Sequence, residues 1–100
     1  MSAYVLVEIE VTDARTYERY KQLAEASVTA YGGRYLVRGG AVEVLEGERA
    51  PGRLVLLEFP SVERAREWWA SPEYGAARPV RVASATAEMF LLPGYAPTVG

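Results

Sequence analysis

The spacing of hydrophobic and polar positions along the chain predicts its secondary structure. Residues 3–11 place apolar side chains at every second position, which is typical of a β-strand. Residues 14–31 repeat apolar and tyrosine side chains at three- and four-residue steps, which predicts a helix. Thr12 or Asp13 is placed to cap this helix, and Gly32-Gly33 is placed to end it.

Two further strands and a second helical region follow. Residues 34–38 predict a strand, with a bulge or bend at Gly39-Gly40 and extended chain over 41–45. Residues 53–59 predict a third strand, and its apolar character on both sides favours a central position in the sheet. The remaining predicted elements are a helix capped by Ser61, a short helical turn opening at Ser71-Pro72, irregular or kinked chain over 73–84 because of Gly75 and Pro79, and a strand over 86–92.

This order of elements predicts an α+β, ferredoxin-like βαββαβ antiparallel sheet with its helices on one face. Right-handed crossovers place the first and third strands in the middle. A chain of 100 residues suits one small domain. We expect this domain to span residues 1–92, with a C-terminal tail over 93–100, where two prolines and two glycines argue against a regular element.

The face of the sheet that the helices leave uncovered is predicted to be apolar. If Val5 and Val7 point toward the helices, Leu6 points away, and the third strand adds Leu54 and Leu56 to the same uncovered face. A monomer would expose a patch of the kind that marks an interface. Because most small soluble oligomers are twofold dimers, the pattern predicts a homodimer.

Three segments resemble the bacterial domain-of-unknown-function family 1330. They are GGRYLVRGG (32–40), VLLEFPS (55–61) and SPEY (71–74), and the resemblance extends over residues 3–92 in the same order. It implies a dimeric α+β barrel, in which two sheets meet face to face with the helices outside, and therefore again a homodimer. The resemblance implies no particular reaction for this chain, because none is established for the family. Gly75 and Pro79 depart from the pattern by making a continuous helix after SPEY a poor expectation.

Cysteine and histidine are absent, and their absence excludes several kinds of chemistry. The chain can form no disulfide, no thiol nucleophile, no histidine base, no zinc site with sulfur or imidazole ligands and no histidine-bound haem. We therefore expect no metal and no redox cofactor. The lack of disulfides also fits a cytoplasmic protein.

Charge and hydropathy argue against nucleic-acid and membrane partners. The net charge is −2, from 11 basic and 13 acidic residues, which gives no general attraction to phosphate backbones or anionic lipids. No apolar stretch approaches the ~20 residues of a membrane span, and no secretory signal is expected. An RNA-binding module shares this strand order, but it needs exposed aromatic residues where strand 53–59 offers aliphatic residues and Glu58.

Charged residues within apolar strands are the first candidates for chemistry. Glu58 is predicted to share a strand face with Leu54 and Leu56, where desolvation would raise its pKa and suit it to act as a general base. Arg38 ends the second strand and is expected to lie near Glu58, where it would neutralise the carboxylate or bind an anionic substrate group. The alternative is a purely structural ion pair, since buried charges are usually paired.

Seven tyrosines against two phenylalanines suggest a partly wet cleft between the helices and the sheet. Tyr35 and Tyr74, within the segments that resemble the family, are candidates for binding a small, partly aromatic molecule. Tyr17 and Tyr20, on the helical stripe, are predicted to belong to the core.

The adjacent tryptophans project about 100° apart on a helix, so both cannot lie at the centre of one interface. Trp69 continues the apolar stripe of Val62 and Ala65 and is predicted to be core. Trp68 is the candidate for a pocket wall or a subunit contact.

Two functions of different classes fit these features. The first is a small cofactor-independent enzyme acting on a metabolite in a cleft of the dimer, by analogy with dimeric barrels that include monooxygenases and isomerases. The second is a non-catalytic small-molecule-binding or regulatory dimer. Both require a pocket, and only turnover separates them.

Overall fold

A computed structural model describes residues 1–96 of the chain. Its elements are β1 (Ala3–Val11), α1 (Ala14–Ala30), β2 (Arg34–Arg38), β3 (Arg53–Phe59), α2 (Val62–Ala70), α3 (Pro72–Ser84) and β4 (Ala85–Pro93). The side chains of Asp13, Ser61 and Ser71 cap the three helices by accepting hydrogen bonds from first-turn amides. Gly32 follows α1 with a φ of 75°. The predicted caps and helix end are confirmed.

The four strands form one antiparallel sheet in the order β2-β3-β1-β4. The predicted ferredoxin-like α+β fold, with the first and third strands in the middle, is confirmed. No helix among residues 1–96 is long and apolar enough to cross a membrane. The strand β4 includes Pro93, one residue into the predicted tail, and residues 97–100 of that tail lie outside the described part of the chain.

The helices cover one face of the sheet and bury the core there. Strand residues at alternate positions, among them Val7 and Leu57, pack beneath α1 and α2. Trp68 is 2% exposed, lies 5.2 Å from the Phe59 ring between centroids, and donates from Nε1 to the Ser27 hydroxyl at 3.0 Å. Trp69 is 43% exposed. The prediction that Trp69 is the core tryptophan is therefore wrong, because the buried stripe of α2 runs through Ala65 and Trp68.

The opposite face of the sheet, which we call the open face, carries a row of apolar side chains across all four strands. The strand register sets Val37 beside Leu56, Leu56 beside Leu6 and Leu6 beside Phe90. Val37 and Phe90 are 45% and 50% exposed. The predicted apolar character of this face is confirmed.

The chain after Ser71 forms a continuous helix through Pro79, so residues 73–84 are helical and the irregular alternative predicted for them is wrong. Pro79 has no amide hydrogen for the carbonyl of Gly75 one turn earlier, and its ring crowds that carbonyl. No atom lies within 4 Å of where a Gly75 side chain would begin, so the backbone there has room to adjust. The packing of α3 along α1, which buries Tyr74 and Ala77, outweighs the local cost.

The connection between β2 and β3 turns at Gly39, as predicted, but two details differ from the prediction. Residues 41–44 form no strand, and the irregularity in pairing lies inside β2, between Tyr35 and Val37. Gly39 has a φ of 73°, and a side chain there would overlap the Nε atom of Arg53. Glycine is therefore needed at position 39 for two reasons. The turn requires a positive φ, and the Arg53 side chain passes close to the backbone.

Substitution of Gly39 tests this double requirement. We expect Gly39→Ala to lower the free energy of unfolding by about 1–3 kcal/mol, because alanine would adopt a strained backbone conformation and press on Arg53. Gly40→Ala is the matched control, since nothing lies within 4 Å of its would-be side chain, and its effect should stay under about 1 kcal/mol. Urea unfolding of both variants measures the difference, and equal effects would contradict the assignment.

The proline inside α3 gives a second prediction. Pro79→Ala restores one helical hydrogen bond and removes a steric clash, so the free energy of unfolding should rise by about 2 kcal/mol. Pro72→Ala, at the first position of the same helix, restores no such bond and should leave stability unchanged or slightly lower. Thermal melts compare the pair, and a destabilised Pro79→Ala protein would show that the helix depends on its proline.

Candidate functional site

A narrow pocket lies between the helices and the covered face of the sheet, and we call it the inner pocket. Its aromatic lining comes from Tyr17 and Tyr20 of α1, Tyr35 of β2 and Trp68 of α2. The pocket measures about 480 Å³ including the open solvent at its mouth, and its enclosed part has room for only a few water molecules. A larger bound molecule would therefore have to move lining side chains.

Three cations, Lys21, Arg38 and Arg53, also line the inner pocket, and no acidic side chain of the described residues does. Lys21 pairs with Glu18 at 2.7 Å, and Arg38 pairs with Glu25 at 3.1 Å. Both glutamate side chains are well exposed, so solvent weakens these pairs. Positive charge therefore dominates the lining itself.

Arg53 differs from the other two cations because it has no ion-pair partner among residues 1–96. Its Nε atom is buried and makes no hydrogen bond. Its Cζ atom lies 5.5 Å from the centroid of the Tyr17 ring. Arg53 thus lines the pocket as a partly buried cation whose Nε atom, packed against Gly39, has no hydrogen-bond acceptor.

Tyr35 and Arg38 stack at the pocket, with the arginine Cζ 4.1 Å from the centroid of the tyrosine ring. Burial raises the pKa of Tyr35 to about 12, although the positive charge of Arg38 opposes the shift. The Tyr35 hydroxyl therefore stays protonated at neutral pH.

A chain of hydrogen bonds reaches Tyr20 from behind the pocket. Arg81 Nη1 donates to the Tyr74 hydroxyl at 2.8 Å, and that hydroxyl lies 2.9 Å from the hydroxyl of Tyr20. A guanidinium can only donate, so Tyr74 accepts from it and keeps its own hydrogen to donate. The stronger acceptor for that hydrogen is the oxygen of Tyr20, because the alternative, Met89 Sδ, is a weak acceptor at 3.8 Å.

This direction leaves the hydrogen of Tyr20 without an acceptor among the described residues. Burial raises the pKa of Tyr20, and the neighbouring Tyr74 raises it further, so Tyr20 remains protonated. Tyr20 also lines the inner pocket. An oxygen atom of a bound molecule that reached this hydroxyl would accept its hydrogen.

Of the residues predicted from sequence, Tyr35, Arg38 and Trp68 line the inner pocket, and Tyr74 contacts it through Tyr20. Glu58 lies elsewhere, on the open face, where it accepts from Arg34 Nε at 2.6 Å. The prediction that Arg38 and Glu58 lie together is wrong.

The pairing irregularity in β2 explains this separation. Regular alternation would place Arg34 and Arg38 on the same face, but the shift between Tyr35 and Val37 reverses the alternation. Arg34 therefore meets Glu58 on the open face, and Arg38 turns to the covered face.

The predicted rise in the pKa of Glu58 is also wrong. The hydrogen bond from Arg34 holds the pKa of Glu58 below its usual range despite desolvation. A carboxylate held ionised by a cation is a poor general base. Glu58 therefore fits a structural ion pair of the open face.

Lys21 and Arg53 were not predicted as pocket residues. A signal for Lys21 exists in the sequence, since it follows Tyr17 by four residues and therefore interrupts the apolar stripe of α1. Arg53 carries no comparable signal, because its place depends on Gly39 of the preceding connection. Within residues 1–96, no group of three or more acidic, cysteine or histidine side chains is arranged to hold a metal ion.

Solved structures share this fold at low sequence identity. A protein of unknown function from Rhodopseudomonas palustris, RPA0582, is 19% identical, with a TM-score of 0.77 over 96% of this chain and 84% of that one. SnoaB from Streptomyces nogalater, a cofactor-independent oxygenase, is 14% identical, with a TM-score of 0.62 over 99% and 98%. A dimeric protein of unknown function and ferredoxin-like fold from Bacteroides fragilis is 8% identical, with a TM-score of 0.55 over 93% and 96%.

Sequence comparison gives the family. No curated protein matches the chain. The family described as domain of unknown function (DUF1330) matches residues 2–95, which confirms the resemblance seen in the three sequence segments. This chain therefore belongs to the DUF1330 family.

Proposed function

We propose that this protein is a homodimer that binds a small metabolite in the inner pocket and transforms it without a bound cofactor. The observation that carries the proposal is the pocket itself, where the unpaired cation Arg53 and the free hydroxyl donor of Tyr20 lie among aromatic walls. Pockets of this composition, mostly apolar with a few convergent polar groups, are typical of small-molecule sites.

The chemistry that these groups favour is stabilisation of negative charge on an oxygen atom. Tyr20 and Tyr35 keep their protons at neutral pH, so they act as hydrogen-bond donors rather than bases. With Arg53 they would stabilise an enolate, phenolate or similar oxyanion that forms during reaction.

The other predicted residues take supporting roles in this proposal. Arg38 would bind an anionic group at the mouth, and Trp68 would form a wall of the pocket. Tyr74 would hold Tyr20 in place through its hydroxyl. Glu58 has no part in it, because it lies on the other face of the sheet.

The structural relatives support this reaction class by fold alone. SnoaB, with the same fold, is named a cofactor-independent oxygenase, so the fold accommodates chemistry without a cofactor. At 14% identity this likeness carries no residue roles, which is why the proposal depends on the groups in the pocket.

A non-catalytic binding or regulatory dimer is the second candidate. One observation favours it: no carboxylate among the described residues lines the inner pocket, so no carboxylate is placed there to remove a proton from a bound molecule. Such a protein would retain its ligand unchanged.

Native mass spectrometry of the purified protein, followed by incubation with whatever small molecule it carries, separates the two candidates. For an enzyme we expect product to form, and we expect Tyr20→Phe to lower kcat by about 10²–10³-fold with little change in KM, because an oxyanion donor is lost. Tyr95→Phe is the control, since Tyr95 is 89% exposed. A retained molecule that never changes would favour the binding protein, and full activity in Tyr20→Phe would remove Tyr20 from the mechanism.

The proposed dimer is supported by the open face. Its apolar row of Val37, Leu56, Leu6 and Phe90 extends across the whole sheet and is only partly buried in one copy of the chain. The Bacteroides fragilis relative is described as dimeric, which fits the same use of the fold. Pairing two open faces would bury both rows, at a gain of about 25 cal/mol for each Å² of apolar surface.

An aspartate at the centre of the apolar row tests the dimer. We expect Leu56→Asp to halve the mass measured by light scattering, or to unfold the protein, because it would bury an unpaired charge in the interface. Val82→Asp is the control, since Val82 is 69% exposed on α3. The dimer proposal fails if the unaltered protein is a heat-stable monomer at micromolar concentration, or if Leu56→Asp keeps both the mass and the stability of the control.

A further inference from the structure

The positive charge that lines the inner pocket is not balanced within the lining. The charges of Lys21 and Arg38 are met by exposed glutamates outside the lining, whereas Arg53 has no partner among residues 1–96. Leaving a buried donor of a charged group without an acceptor is costly, and the Nε atom of Arg53 is such a donor. An anionic group in the pocket would supply the missing acceptor.

Two neighbours restrict the position of the Arg53 side chain. Gly39 allows the Arg53 side chain to pass directly against the backbone, and the ring of Tyr17 lies 5.5 Å from its Cζ atom. A guanidinium that is already held in place loses less entropy on binding a carboxylate. This arrangement favours stable binding of an anion at Arg53 over a transient contact of the anion with the protein surface.

The rest of the lining indicates what the anion is attached to. Four aromatic side chains, Tyr17, Tyr20, Tyr35 and Trp68, line the space that a ligand would open. Aromatic rings stack favourably on one another in offset or edge-on arrangements, so a flat ring suits these walls. The free hydroxyl hydrogen of Tyr20 offers a second contact to an oxygen of such a molecule.

We infer that the ligand of the inner pocket is a flat aromatic carboxylate, with its ring among the aromatic side chains and its carboxylate at Arg53. The inference rests on the small-molecule pocket proposed above and names its ligand class. It goes beyond that proposal because a neutral aromatic molecule would satisfy the pocket but leave the Arg53 donor unpaired.

Fluorine NMR with two matched probes tests the inference on the unaltered protein. The probes are para-fluorobenzoate and the neutral para-fluorobenzamide, which have the same ring and nearly the same size. We expect the benzoate to bind at least about tenfold more tightly, since a charge-assisted hydrogen bond contributes on that scale. Inorganic phosphate should compete poorly with the benzoate, because it gains nothing from the aromatic walls.

A pair of arginine variants locates the charge. Arg53→Gln should weaken binding of the benzoate about tenfold and leave binding of the benzamide unchanged. Arg19→Gln removes the same charge from an exposed position of α1 outside the pocket and should change neither. If Arg53→Gln does not fold, as judged by circular dichroism, the comparison of the two probes on the unaltered protein still decides the question.

The other possible results contradict either the ligand class alone or the pocket as well. Equal affinity for both probes, an Arg53→Gln protein that behaves like Arg19→Gln, or phosphate that competes as well as benzoate would overturn the aromatic carboxylate while leaving the small-molecule pocket intact. Binding of neither probe at millimolar concentration would overturn both the ligand class and the pocket.

Discussion

Three helices packed on one face of a four-stranded sheet leave the other face without a cover, and most features of this protein follow from that asymmetry. Every strand residue points either to the helices or away from them, because side chains alternate along a strand. In β1 the alternation is clean, with Val5, Val7 and Ile9 buried and the residues between them more exposed. The covered face therefore holds the core and the inner pocket, and the open face holds the apolar row.

Strand register consequently determines which charged residues meet. The irregular pairing between Tyr35 and Val37 directs Arg34 toward Glu58 on the open face and Arg38 toward the inner pocket. A single register shift in the edge strand β2 thus completes the ion pair between Arg34 and Glu58 on the open face. It also leaves Arg38 as a cation that lines the pocket. The stack of Arg38 on Tyr35 follows from the same shift, since both residues then lie on the covered face.

The sequence was sufficient to predict the fold because its local signals agree with one another. Alternation in β1 and β3, the caps at Asp13, Ser61 and Ser71, and the glycine after α1 all favour the observed elements. The prediction failed where tertiary packing overrides such signals. Pro79 breaks an isolated helix, but contact of α3 with α1 maintains this one.

The site was less predictable than the fold, and for different physical reasons. The separation of Arg38 from Glu58 depends on a bulge that two-residue alternation does not show. Trp68, and not Trp69 as predicted, is the buried tryptophan of α2. The prediction was wrong by one residue along the helix, which is about 100° around its axis. Arg53 enters the pocket through a glycine fourteen positions earlier in the chain, a long-range requirement that no local pattern carries.

We propose separate uses for the two faces of the sheet, the covered face for a ligand and the open face for a second copy of the chain. The most direct measurement is an isotope-filtered NOE experiment on a mixture of labelled and unlabelled protein, which detects only contacts between chains. We expect such contacts at the side chains of Leu6, Leu56 and Phe90. Contacts that lie instead on the outer surfaces of α1 and α3, or none at all, would contradict it.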